Sequence, residues 1–321
     1  MSLVIRKAFL SGLAAFGLFA PMALAGVDPA LLALVSPDAK MLIGIQVSQA
    51  QSTPFGQYLL SQIQLDKNTN QVLTAAGFDP RRDLREILAA SGDGSSGLML
   101  GRGSFQPGKI AKAAVLAGAA SSKYRGTEIL TLNGTGKNKG AGSIAFLDGS
   151  TVVAGDTDNV RAVIDRRAAS AVFSGQLAQR AREISVANDA WLASLAPPAA
   201  LSSAAQNAQL GVLQSLLQSA LQVSAGAKFA ATEVTVSAEV VTRSPQDAQS
   251  MADLLRFAAG MVQQASRSDP NASKGPSLAD AAQISSTGAA MHVVISLPEQ
   301  QMEKFFLPDS KQSQPKKVAA R

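Results

Sequence analysis

Ser143-Ile144-Ala145-Phe146-Leu147-Asp148-Gly149-Ser150-Thr151-Val152-Val153-Ala154-Gly155 is the stretch that decides the fold class. Two short apolar runs flank Asp148-Gly149, a pair that reverses the chain in a tight hairpin. A tight turn can join only antiparallel strands, because parallel partners need a crossover of a dozen or more residues. The expected class is therefore α+β with mostly antiparallel sheets. A doubly wound nucleotide-binding fold would need a helix after nearly every strand.

Strands are expected upstream of this hairpin at Met41–Val47, Leu84–Ala90, Gly97–Gly103 and Lys123–Leu132. Between them, Thr53-Pro54 reads as an N-cap followed by proline in the first helical turn. Gly77 closes a short helix over Gln71–Ala76, and Pro107–Ala117 carries apolar residues on one helical face. A helix at Asp158–Arg167 follows the hairpin, with Val160, Val163 and Ile164 inward.

The second half repeats the element order, though not the residues. It reads as a strand at Ala190–Leu195, a helix at Asn207–Ala220, and strands at Gln222–Ala230 and Glu233–Thr242. Ser244-Pro245-Gln246-Asp247 opens the longest helix, whose apolar positions from Ala248 to Val262 keep a 3.6-residue period. A polar break at Ser266–Pro276 precedes a strand at Gly288–Ser296 and a helix at Glu299–Phe306. The expected architecture is two ferredoxin-like (βαββαβ-type) halves, 26–170 and 171–307, with helices packed on one face of each sheet.

Residues 1–25 read as a signal peptide. Arg6 and Lys7 precede an uncharged apolar run, and Ala23-Leu24-Ala25 fits cleavage between Ala25 and Gly26. The expected destination is the periplasm or the medium, with no transmembrane segment in the mature chain. The 321 residues include no cysteine, which removes disulfides, thiol catalysis and thiolate metal sites. Aromatic residues make up 5%, too few for carbohydrate platforms or base-stacking surfaces. Without Arg6 and Lys7 the formal charge of +6 falls to +4, some of it in the basic tail 308–321. That tail is expected to be disordered and to make at most weak contact with an anionic surface, and no nucleic-acid partner is expected.

Candidate motifs reduce to ordinary structure. Gly92-Asp93-Gly94-Ser95-Ser96-Gly97 has dinucleotide-loop spacing but runs into a strand, so no helix N-terminus would meet a phosphate. Gly134-Thr135-Gly136-Lys137 lacks the rest of a phosphate loop. Asp156-Thr157-Asp158-Asn159 reads as a helix cap. His292, the single histidine, lies in an alternating strand with no carboxylate nearby in sequence, so it reads as a sheet histidine. Arg161, Arg166, Arg167, Arg180 and Arg182 read as an exposed helical face. The densest charge cluster, Asp79–Glu86, offers Arg81, Arg82 and Arg85 as an anion or partner contact, against the plainer account of a solvated turn.

Val35-Ser36-Pro37-Asp38-Ala39, Ser52–Tyr58, Gly77–Leu84 and Phe146–Gly155 together resemble uncharacterised exported bacterial proteins of acidobacterial type. The resemblance lies mainly in the first half. It implies export and an α+β fold, and carries no catalytic residue. No cofactor, metal or catalytic group is expected. The functional expectation is a non-enzymatic binding or scaffold module for an envelope protein partner. The alternative is an envelope hydrolase using Asp and Glu as acid and base.

Overall fold

In the computed structural model the chain is described over residues 26–62, 67–92, 97–132, 142–197, 218–268 and 278–306. The signal peptide, the glycine-rich segments at 93–96 and 133–141, most of the helix expected at Asn207–Ala220, most of the polar break and the basic tail lie outside these residues.

Twelve strands form one antiparallel sheet. They are β1 (Met41–Gln46), β2 (Leu84–Ser91), β3 (Leu98–Gly103), β4 (Ala120–Tyr124), β5 (Thr127–Leu132), β6 (Gly142–Phe146) and β7 (Thr151–Gly155), followed by β8 (Ala190–Ser194), β9 (Ala220–Phe229), β10 (Glu233–Thr242), β11 (Ala282–Thr287) and β12 (Ala290–Pro298). The spatial order is β11-β12-β10-β9-β8-β1-β2-β3-β7-β6-β5-β4. The Asp148-Gly149 hairpin is present, with Phe146 opposite Val152 across β6 and β7.

The α+β class and antiparallel pairing stand, but the sheet does not divide into two ferredoxin-like sheets. It is continuous, with β1 joined to β8 and Gly44 opposite Trp191. The sequence reading lacked two strands. Lys123–Leu132 is a hairpin of β4 and β5, turned at Arg125-Gly126 with φ of 47° and 81°. β11 precedes a second turn at Gly288, φ 56°. Each extra strand lets its half close as a meander onto the strand that precedes the helix, so β7 pairs antiparallel with β3, and β12 with β10.

The helices are α1 (Pro29–Leu32), α2 (Val47–Ala50), α3 (Pro54–Ser61), α4 (Lys67–Ala76), α5 (Pro80–Asp83), α6 (Pro107–Leu116), α7 (Thr157–Ala168), α8 (Gln176–Ala187), α9 (Pro245–Ser268), α10 (Leu278–Ala281) and α11 (Glu299–Phe306). Several starts follow the expected chemistry. Thr53 Oγ1 accepts from the Gly56 N–H, Asp156 Oδ1 from Asn159 and Ser244 Oγ from Asp247. The basic stretch expected only as an exposed helical face has a buried side in α8, where Leu177, Ala178, Ala181 and Ile184 keep helical spacing and are buried.

These helices cover both faces of the first half, against the expectation of one. On one face α1, α7 and α8 bury Leu42, Leu88, Leu100, Ile129 and Val153 in the largest core. Strand neighbours point the other way by the two-residue period. Ile45 and Ile87 pack with α2 and α3, and Leu130 and Val152 with α6. The turn at 170/171 separates α7 from α8, which share that largest core. Among the described residues of the second half, α9 and α11 cover the face carrying Val234, Val240, Met291 and Leu297, and on the opposite face α8 covers β8 and part of β9.

Candidate functional site

One row of paired residues crosses the whole sheet on the face of the largest core. From β1 outward through the first half it reads Gly44, Leu88, Leu100, Val153, Ala145, Ile129. In the opposite direction it reads Trp191, Gly226, Ser237, Val294, Gln283. The apolar run is buried through Trp191, and beyond Gly226 the row opens to solvent, with Ser237 and Val294 partly exposed and Gln283 exposed.

Two glycines set this boundary by close approach. A Cβ on Gly44 would overlap the Trp191 ring, and one on Gly226 would overlap the Asn188 side chain. The tryptophan thus lies flat over β1, and α8 ends where Asn188 drops onto β9. Past α8, residues 235, 237, 239, 241, 292 and 294 are partly exposed, while Gln283, Ser285, Thr287 and Ser296 are exposed.

At that border the next row places Ser285, His292, Glu239 and Ser224 side by side on β11, β12, β10 and β9. Arg180 reaches from α8 onto it. Its Nη2 lies 2.6 Å from Glu239 Oε1, and Nε and Nη2 donate to Ser224 Oγ at 3.1 and 2.6 Å. Nη1 lies 3.4 Å from Glu183 Oε2. His292 Nδ1 lies 3.4 Å from Glu239 Oε2. These groups line a cleft of about 240 Å³ with Asn188, Ser237 and Val294. The cleft thus brings together a guanidinium, an imidazole, two carboxylates and hydroxyls, groups suited to recognising polar partners.

The sequence reading missed this site because 53 residues of chain separate Glu239 from His292, and Arg180 is further still. Only the β10–β12 register brings the two strands together. Among the five arginines taken as one exposed face, Arg166 and Arg180 are partly buried. Arg167 pairs with Asp148 at 2.8 Å, Arg182 donates to the Phe173 carbonyl, and Arg161 lies over the Tyr124 ring.

Arg81 and Arg82 sit on α5 and Arg85 is the second residue of β2, all exposed. Arg82 is engaged by Asp83 at 2.7 Å, which raises the guanidinium and holds the Asp83 carboxyl low. Gly97 leads directly into β3, so the glycine-rich loop before it has no helix to present a phosphate site. Among the described residues, no three His, Asp or Glu side chains are grouped to hold a metal ion. Nor is any described helix long and apolar enough to cross a membrane.

One carboxyl is strongly perturbed. Glu86, 6% exposed on β2, is pushed up to about 7 by burial. The Asp28 N–H, donating at 3.1 Å, opposes the shift, and the Asp28 charge adds to it. Arg102 lies against Asp28 at 2.5 Å. The Glu86 bond fastens the start of the described chain to the sheet, and the Val27 N–H, donating to buried Ser185 Oγ at 2.9 Å, fastens it to α8.

No family model matches the chain, and no curated protein matches it in sequence. Among solved structures it is similar to TP0453. Crystal form I matches with a TM-score of 0.52 at 11% identity, over 88% of this chain and 97% of that one. Crystal form III matches with a TM-score of 0.52 at 10% identity, over 88% and 98%. At such identity the likeness concerns the fold, a large antiparallel sheet with helices over nearly the full chain.

Proposed function

We propose that this chain is an exported, non-enzymatic binding or scaffold protein of the periplasm or extracellular space. It meets an envelope protein partner through the uncovered sheet face of β9–β12. The change of burial along one row carries this reading: the sheet is buried through Trp191 and, beyond Gly226, exposes Ser237, Val294 and Gln283. Arg180 and His292 supply donors at the border, Glu239 an acceptor, and Arg81, Arg82 and Arg85 a separate basic contact. A flat polar area with a few oriented charges suits protein recognition.

The face is poorly equipped for acyl transfer. β10 and β12 have neighbours on both sides, so their N–H groups are committed to the ladder and none is left to hold an oxyanion. An acid–base hydrolase would use Glu183 and Glu239, which share a cleft. Both lie against Arg180, at 3.4 and 2.6 Å, so each carboxylate has one side taken up by the guanidinium.

The test is a photo-crosslinking amino acid placed at Val294 on the open face, with a control at Val262 on α9, in intact cells. The expected result is one crosslinked envelope protein from position 294 alone, lost when Glu239→Arg is added. Equal crosslinking from both positions, or an unprocessed chain resident in the cytosol, would overturn the proposal.

A further inference from the structure

A second cleft lies on the same sheet face at the other end of the molecule. Ala30, Ala33 and Leu34 from α1 and its following turn form one wall. Leu147, Asp148 and Thr151 of the β6–β7 hairpin form another, and Arg166, Arg167 and Ala171 at the end of α7 close it over Arg102. Its volume is about 300 Å³, at the small end of the range for ligand sites.

The three arginines are not equivalent. Arg102 is neutralised by Asp28 at 2.5 Å and donates from Nη1 to Ser150 Oγ and Thr151 Oγ1. Arg167 is neutralised by Asp148, itself held low: burial pushes that carboxyl up, but bonds from Ser150 and Thr151 and the Arg167 charge outweigh it. Arg166 differs. Its Nε donates to the Leu34 carbonyl at 2.8 Å, and no carboxylate lies within ion-pair distance among the described residues. Burial pushes its guanidinium down, with Asp165 opposing.

A half-buried cation without a counter-ion costs free energy that an arriving anion recovers. With Nε fixed by Leu34, both Nη groups remain for the two oxygens of a carboxylate. One uncompensated positive charge suits a monoanion, and the alanine and leucine walls suit an apolar body. We infer that this cleft binds a small organic monocarboxylate, its carboxylate on Arg166 and its apolar part against Ala33, Leu34 and Leu147. This inference is independent of the partner face, since the cleft lies in the first half.

The experiment is calorimetric titration of the purified full-length chain with octanoate, with inorganic phosphate and 1-octanol as separate arms. Octanoate is expected to bind at least tenfold more tightly than either. Arg166→Gln should weaken octanoate at least tenfold while leaving 1-octanol unchanged. Ala33→Phe fills the cleft with the arginine intact and should abolish binding, which keeps the test decisive if Arg166→Gln fails to fold. No octanoate binding at millimolar concentration would overturn the inference. So would phosphate binding as tightly as octanoate, or an Ala33→Phe variant that binds like the parent.

Discussion

The two halves of this molecule share one sheet and close it with the same device, yet they treat that sheet differently. In the first half helices lie on both faces, and the row from Gly44 to Ile129 is dry. In the second half the same row continues through Ser237, Val294 and Gln283, which the described residues leave partly or fully exposed. The larger core lies in the first half, and on the proposed function the second half supplies the recognition surface.

The largest expected effects fall where the halves meet. Gly44→Ala places a methyl inside the Trp191 ring, and Leu100→Ala opens a hole in the buried row. Each should cost about 2–5 kcal/mol in denaturant unfolding. A loss under about 1 kcal/mol for both would show that the buried row is not the stabilising half of the comparison.

Next comes Glu86, whose carboxyl is raised from 4.5 to about 7 in the fold. The folded state keeps this proton where the unfolded chain has released it. Its contribution is therefore fully present below pH 4.5, is lost as pH rises toward 7, and is flat above that. Glu86→Gln should raise stability at pH 8 by up to roughly 3 kcal/mol and change little at pH 4. Equal effects at both pH values would remove the buried carboxyl from the account.

Arg180→Ala should have a smaller effect, about 1 kcal/mol, since Glu239 and Glu183 remain solvent-accessible and screened. It should nonetheless abolish the crosslink from position 294. Last, Val294→Ala lies in the same row as Leu100 but on the open side, and should cost less than about 0.5 kcal/mol. A cost near that of Leu100→Ala would mean that the second half is covered after all.

Much of the fold was legible in local signals. Asp148-Gly149 marked a hairpin and Thr53, Asp156 and Ser244 marked helix starts, because turns and caps depend on residues close in sequence. The turn at Arg125-Gly126 was harder to see, since its first residue takes positive φ without being Gly, Asn or Asp. Missing it, and missing β11, hid the meanders that return each half to β3 and to β10, and suggested ferredoxin-like halves. The candidate site was hidden for a different reason: its members lie on α8, β9, β10 and β12, and no spacing rule connects them.

By itself the sequence determined an α+β chain of antiparallel hairpins without cysteine, because periodicity and turn chemistry act over a few residues. Only the tertiary structure decided that the halves fuse through β1 and β8, and that Glu239 stands beside His292 and under Arg180. It alone left Arg166 without a carboxylate partner among the described residues. Register and helix placement depend on pairing between distant segments, and that information exists only once the sheet has closed.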